Sequence, residues 1–106
     1  FLTKQPNVES QMSIRVIVSF NVKSSKLTEF VDVLNSVKTD LPKIKGCQGV
    51  NIFRNSSNSN MFTLVEKWET KDFHQVHLDK LSEDGTWELI SQHLSEDPES
   101  GYYNHL

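Results

Sequence analysis

The chain has 106 residues, 36% of them hydrophobic and 24% charged, with a single cysteine, no alanine and a net charge of −3. One cysteine excludes an internal disulfide and a cysteine-rich zinc site. The acidic balance leaves no basic stripe for nucleic acid, and nowhere do the roughly eighteen consecutive apolar residues of a membrane helix occur.

The length fits one domain. A chain of this size can bury roughly 60–70% of its unfolded surface without covalent staples. Its apolar share, about 40% with glycine, falls below the usual 45–50%. The large apolar residues must therefore be well placed or shared with a partner. Residues 1–12 show no periodicity and contain Pro6 and Asn7. They are expected to form a flexible arm ahead of a single domain over residues 13–106. The arm lacks a basic region followed by an apolar run, so it is not read as a secretory signal, and the cytoplasm is the default location.

Ile14–Val22 alternates Ile14, Val16, Val18, Phe20 and Val22 with Arg15, Ile17, Ser19 and Asn21. Period two with β-branched enrichment predicts a strand. Ser24 and Ser25 then offer helix caps. Leu27, Phe30, Val31, Leu34, Val37 and Leu41 recur at helical spacing, predicting a helix from about Lys26 to Lys38 that Pro42 forbids beyond Leu41. Gly46 and Gly49 permit a tight turn into a strand over Val50–Arg54. The polar run Asn55–Asn60 reads as a hairpin loop, and Met61–Glu69 as the returning strand. On that strand Phe62, Leu64, Glu66 and Trp68 face one way, while Met61, Thr63, Val65, Lys67 and Glu69 face the other. Both faces are partly apolar, which points to a second sheet or a partner on the outer side.

Thr70 is a candidate N-cap for a helix from Lys71 to about Leu81, with Phe73, Val76, His77 and Leu81 on its apolar face. Thr86 is a candidate cap for a shorter helix carrying Trp87, Ile90 and Leu94. Tyr102–Leu106 is a short closing strand or an ordered tail. The order of strand, helix, strand, strand, helix, helix predicts an α+β fold of the ferredoxin-like split βαβ type, with an antiparallel sheet and a closing strand that is short or absent.

The run Gly46-Cys47-Gln48-Gly49-Val50 is followed by Phe53-Arg54, a polar loop, and then Phe62-Thr63-Leu64-Val65-Glu66-Lys67-Trp68-Glu69-Thr70. His77 stands nine residues after Trp68. This pattern resembles the antibiotic biosynthesis monooxygenase (ABM) family, with its GC-x-G strand, its E-x-W-x-[ST] strand end and its helical histidine. The likeness runs from about Ser13 to Leu94. It implies a dimeric α+β barrel in which the sheets of a homodimer pack face to face, with a pocket between sheet and helices in each subunit.

Some members of that family oxygenate polycyclic phenols or quinols with O2 and without metal or flavin. Others degrade haem, isomerise small signalling molecules, or have no established activity. The resemblance therefore implies a cofactor-independent monooxygenase acting on a small aromatic phenol or quinol. A non-catalytic ligand-binding or signalling module and a haem-binding protein are the alternatives. Asn21 comes late in the first strand, which speaks against the haem-degrading branch.

His77 matches the family's histidine and is a candidate proton acceptor, because imidazole titrates near neutrality. It could equally be a hydrogen-bonded core residue. Trp68 matches the family's tryptophan and is either the flat wall of an aromatic site or plain core. Glu66 shares a face with Phe62 and Trp68. Burial there would raise its pKa, unless Arg15 or Arg54 pairs with it. Asn21, Phe62, Glu66 and Phe73 complete the candidate substrate contacts. Cys47 reads as part of a turn. His74 and His77 lack a further metal ligand at suitable spacing, and His93 and His105 read as solvated.

Overall fold

The computed structural model describes residues 13–106; the arm expected over residues 1–12 lies outside them. Four strands form one antiparallel sheet, ordered β2-β3-β1-β4: β1 (Ile14–Asn21), β2 (Cys47–Arg54), β3 (Met61–Trp68) and β4 (Glu99–Tyr103). The helices are α1 (Leu27–Asp40), α2 (Lys71–Glu83) and the short α3 (Thr86–Ser91). This is the expected ferredoxin-like α+β plan. The closing strand is present but begins earlier than the tail suggested, at Glu99 directly after Pro98, and pairs along β1 from Arg15 to Ser19. None of the helices among the described residues is long and apolar enough to cross a membrane.

Strand alternation divides the sheet into two unlike faces. The inner face carries Ile14, Val16 and Phe20 of β1 and Phe62, Leu64, Glu66 and Trp68 of β3, all buried. Register sets these residues in rows. Val50, Glu66, Val16 and Tyr102 lie side by side across the four strands, and Cys47, Trp68 and Ile14 form the next row.

Helix α1 lays Phe30 and Leu34 onto this face. There they join Phe20, Val22, Phe62, Leu64 and Leu94 in one core cluster. Ile14, Val16, Leu41 and Trp68 make a second. Burying a side chain such as Phe30 contributes about 2–3 kcal/mol. Pro42 ends α1 as expected, though through a 3₁₀ turn over Leu41–Lys43. Ser24 and Ser25 lie in a 3₁₀ turn of their own and do not cap α1, whose N-cap is Lys26 without a side-chain bond.

Thr70 does cap α2: its hydroxyl accepts the Phe73 N–H at 3.3 Å. The inward stripe of α2 differs from expectation in one place. Val76 is 51% exposed, and His74 is the buried residue of the helix. Gly46, with φ +89°, brings the start of β2 so close to α2 that a Cβ there would stand 2.2 Å from Phe73 Cγ. Gly85, also left-handed at φ 82°, precedes Thr86, which is therefore the first residue of α3 and not its cap.

The outer face is left uncovered. Ile17, Met61 and Val65 are half-buried there, and Phe53 and Tyr103 are 57% and 52% exposed. Ser19 and Thr63 hydroxyls bond across the strands at 3.0 Å on the same side.

Candidate functional site

Helices α1 and α2 stand apart above the inner face and flank a half-open cavity of about 750 Å³. That is ample for a polycyclic aromatic molecule. The sheet supplies Val16, Val18, Phe20, Leu64 and Glu66 as its floor. Helix α1 adds Val33 and Val37, α2 adds His74, His77 and Leu78, and α3 adds Trp87 and Ile90. The wall is mostly apolar. Its titratable groups are Asp40, Glu66, His74, His77, Asp79 and His93, and it carries neither lysine nor arginine.

Glu66 lies in the floor and is only 7% exposed. It accepts the Trp68 indole N–H at 2.8 Å. Neither arginine reaches it. Arg15 projects from the other face, and Arg54 stacks on Phe62 with its carbon 5.0 Å from the ring centre while donating to the Ser59 carbonyl. The pairing weighed from sequence is thus replaced by an indole contact. Burial raises the Glu66 pKa, and the Trp68 hydrogen bond offsets part of that rise.

Trp68 is fully buried and stands behind the cavity wall rather than on it. Its ring centre is 5.3 Å from that of His74 and 5.4 Å from that of His77. Both histidines sit on the inward stripe of α2, three residues apart, so both reach the same indole. Burial lowers the pKa of His77, with Asp84 opposing and Lys80 assisting the shift. His74 is pushed down to about 4, first by burial and then by the neighbouring His77. Both imidazoles are therefore neutral at pH 7.

The structure brings His77 and Glu66 together on the cavity wall, with Trp68 bridging them from behind. It places the other sequence candidates elsewhere. Phe62 is core beneath Phe30, at 5.8 Å between ring centres. Phe73 packs on the Leu41–Trp68 cluster beside Gly46. Asn21 lies on the outer-face register of β1, opposite Met61. Cys47 is not the turn residue expected but the first residue of β2, three positions ahead of the predicted strand start, and pairs with Trp68; its thiol donates to the Gly49 carbonyl at 3.7 Å, and burial raises its pKa.

Two site residues were not apparent from sequence. His74 lines the cavity, and its Nδ1 is 2.8 Å from the hydroxyl of Tyr102 on β4. The i, i+3 spacing of His74 and His77 carried the signal for the first. Nothing local marks Tyr102, because its place depends on the β1–β4 register. His93 also lines the cavity. It is not solvated as expected: its side chain is 17% exposed, and Nδ1–H donates to the Leu89 carbonyl at 2.9 Å. No group of three or more His, Cys, Asp or Glu among the described residues could hold a metal ion.

The fold is shared with several solved proteins. A conserved protein of Methanosarcina mazei Go1 is 23% identical, with a TM-score of 0.81 over 95% of this chain and 100% of the other. A Bordetella bronchiseptica protein described as a candidate antibiotic biosynthesis monooxygenase is 25% identical, with a TM-score of 0.76 over 91% and 99%. A variant of SnoaB, a cofactor-independent oxygenase of Streptomyces nogalater, is 14% identical, with a TM-score of 0.74 over 89% and 93%. No curated protein matches the sequence. The family model for antibiotic biosynthesis monooxygenases matches residues 13–81, from the start of β1 into α2, and the chain belongs to that family.

Proposed function

We propose that the protein is a cofactor-independent monooxygenase that oxidises an aromatic phenol, quinol or anthrone with O2 in the cavity between α1 and α2. The observation that carries this reading is a neutral imidazole, His77, on the wall of an apolar cavity large enough for a polycyclic substrate. A neutral imidazole can take a phenolic or benzylic proton. The resulting carbanion-like anion passes one electron to O2, and the substrate radical and superoxide combine to a hydroperoxide. For an anthrone, loss of water then leaves a carbonyl where a CH2 stood. One oxygen atom enters the product and the other leaves as water. An apolar wall suits such a reaction, because it strengthens each hydrogen bond to the anion.

The decisive measurement is oxygen consumption by the metal-free protein with a panel of anthrones and quinols. Uptake above autoxidation is expected, falling by about 10²-fold or more in His77→Ala, the usual worth of a positioned base. Equal rates for both proteins, at the autoxidation level, would overturn the assignment. Tight binding without uptake would instead favour a ligand-binding module.

The same reading includes a second copy of the chain over the outer face of the sheet. Its half-buried Ile17, Met61 and Val65 and exposed Phe53 and Tyr103 support a twofold homodimer with the two sheets face to face.

A further inference from the structure

We propose that His74 is a neutral hydrogen-bond donor of the cavity, its Nε2–H fixed by Tyr102, and that it holds the carbonyl or phenol oxygen of an uncharged aromatic ligand. This rests on the reading of the cavity as a substrate site, but it concerns a different residue and a different task from the proton acceptor.

The argument starts from the 2.8 Å contact between His74 Nδ1 and the Tyr102 hydroxyl. Either atom could donate, so acidity decides. A phenol, with pKa near 10, is a far stronger acid than the N–H of a neutral imidazole. An imidazole nitrogen is likewise a far stronger acceptor than a phenol oxygen. Tyr102 therefore donates to Nδ1, and the single proton of the ring sits on Nε2. Burial keeps the ring neutral, with its pKa at about 4, so His74 is a poor base at pH 7 and a ready N–H donor. His93 shows the converse: its Nδ1 faces a carbonyl and must carry the proton there.

Nε2 of His74 has no protein partner among the described residues, although the residue is only 7% exposed and lines the cavity. The protein leaves that N–H free for whatever enters the cavity. A ligand oxygen would satisfy it.

The rest of the wall defines the ligand further. Asp40, Glu66 and Asp79 are the acidic groups, and no lysine or arginine faces the cavity. A carboxylate or phosphate would meet no cation and several acids. A neutral ketone or phenol would meet Nε2–H. If charge develops on its oxygen during reaction, a fixed neutral donor stabilises that charge without itself losing a proton. Tyr102 acts through His74 and is a positioning residue. Lys71, with Nζ 5.1 Å from the Tyr102 ring centre, steadies the phenol from the solvent side.

The test uses long-range ¹H–¹⁵N spectra of the whole protein at pH 7 and absorbance titration with 1-hydroxyanthraquinone. In the wild type, His74 should show a protonated Nε2 and a bare Nδ1. Tyr102→Phe keeps the ring and removes the donor. It should give a mixture of tautomers and weaken the probe by about 3–10-fold, the worth of one hydrogen bond. Anthraquinone-2-carboxylate should bind the wild type at least about tenfold more weakly than the hydroxyl probe.

A wild-type His74 protonated at Nδ1, or at both nitrogens, overturns the proposal. So does a Tyr102→Phe variant with unchanged tautomer and affinity, a wild type that does not bind the probe, or equal affinity for the carboxylate. The outcome is separable from the oxygenase reading. The expected tautomer and affinities without oxygen uptake would sink the oxygenase alone. Uptake that depends on His77 beside a mixed wild-type tautomer would sink this donor alone.

Discussion

Glu66 and His74 make folding sensitive to pH from opposite sides. His74 has a native pKa of about 4 against an ordinary 6.5. Between those values the unfolded chain binds the proton more tightly, so stability falls as the pH drops from 6.5 towards 4. His77, lowered in the same direction, adds to that slope. Glu66 is raised from 4.5. Its native form therefore holds a proton that the unfolded chain has released, and stability is lost as the pH rises above 4.5 towards the native pKa. Just above pH 4.5 both effects act and oppose each other. Glu66→Gln, which keeps an oxygen for the Trp68 indole, should therefore lose stability more steeply than the wild type as the pH falls towards 4.5, read from urea midpoints. An unchanged slope in that variant would remove Glu66 as a contributor.

At the scale of elements, the cavity exists because α1 and α2 are each anchored to the sheet at a different place. Helix α1 is pinned by Phe30 and Leu34 over Phe20 and Phe62. Helix α2 is pinned at its first turn by the Thr70 cap and by Phe73 lying against Gly46. Gly46→Ala would impose both a left-handed alanine and a 2.2 Å approach to Phe73. It should cost about 2–4 kcal/mol in denaturant unfolding. A loss below about 1 kcal/mol would show that the α2 anchor yields easily.

These anchors mark the boundary of what the sequence discloses. Strand and helix periods, Pro42 and the Thr70 cap are local signals and were legible. The place of His77 on the cavity wall was legible as well. From hydrophobicity alone Val76 reads as buried, whereas the helix angle that presents His74 instead is set by tertiary packing. Tyr102 was out of reach for a related reason. Its partnership with His74 spans 28 residues, and it depends on the β4 register and on the height of α2 above the sheet. The loss of Asn21, Phe62 and Phe73 from the cavity wall has the same origin: sharing an element with the site does not fix which wall a side chain joins.

At the scale of the whole molecule, the low apolar content and the two-sided sheet are one observation. The monomer covers only one face. Val65 lies at the centre of the other, flanked in register by Ile17 and Asn51. The wild type is expected to sediment at twice the chain mass, and Val65→Asp, a charge placed on that face, at the chain mass. A wild type that stays monomeric at high micromolar concentration would show that the face is simply tolerated.

Strand β4 gives the site an unusual dependence. It is five residues long, lies at the sheet's edge and pairs only with β1. Such strands open locally at much smaller free energies than the core requires. Each opening carries Tyr102 away and frees the His74 ring to exchange its proton between nitrogens, while Phe30, Leu64 and Trp68 stay packed. A donor held this way would act as a thermal gate, released at a lower temperature than the core melts. On warming, the nitrogen spectra of His74 would lose the single tautomer well before the protein unfolds, and the cavity would keep its shape after losing its chemical orientation.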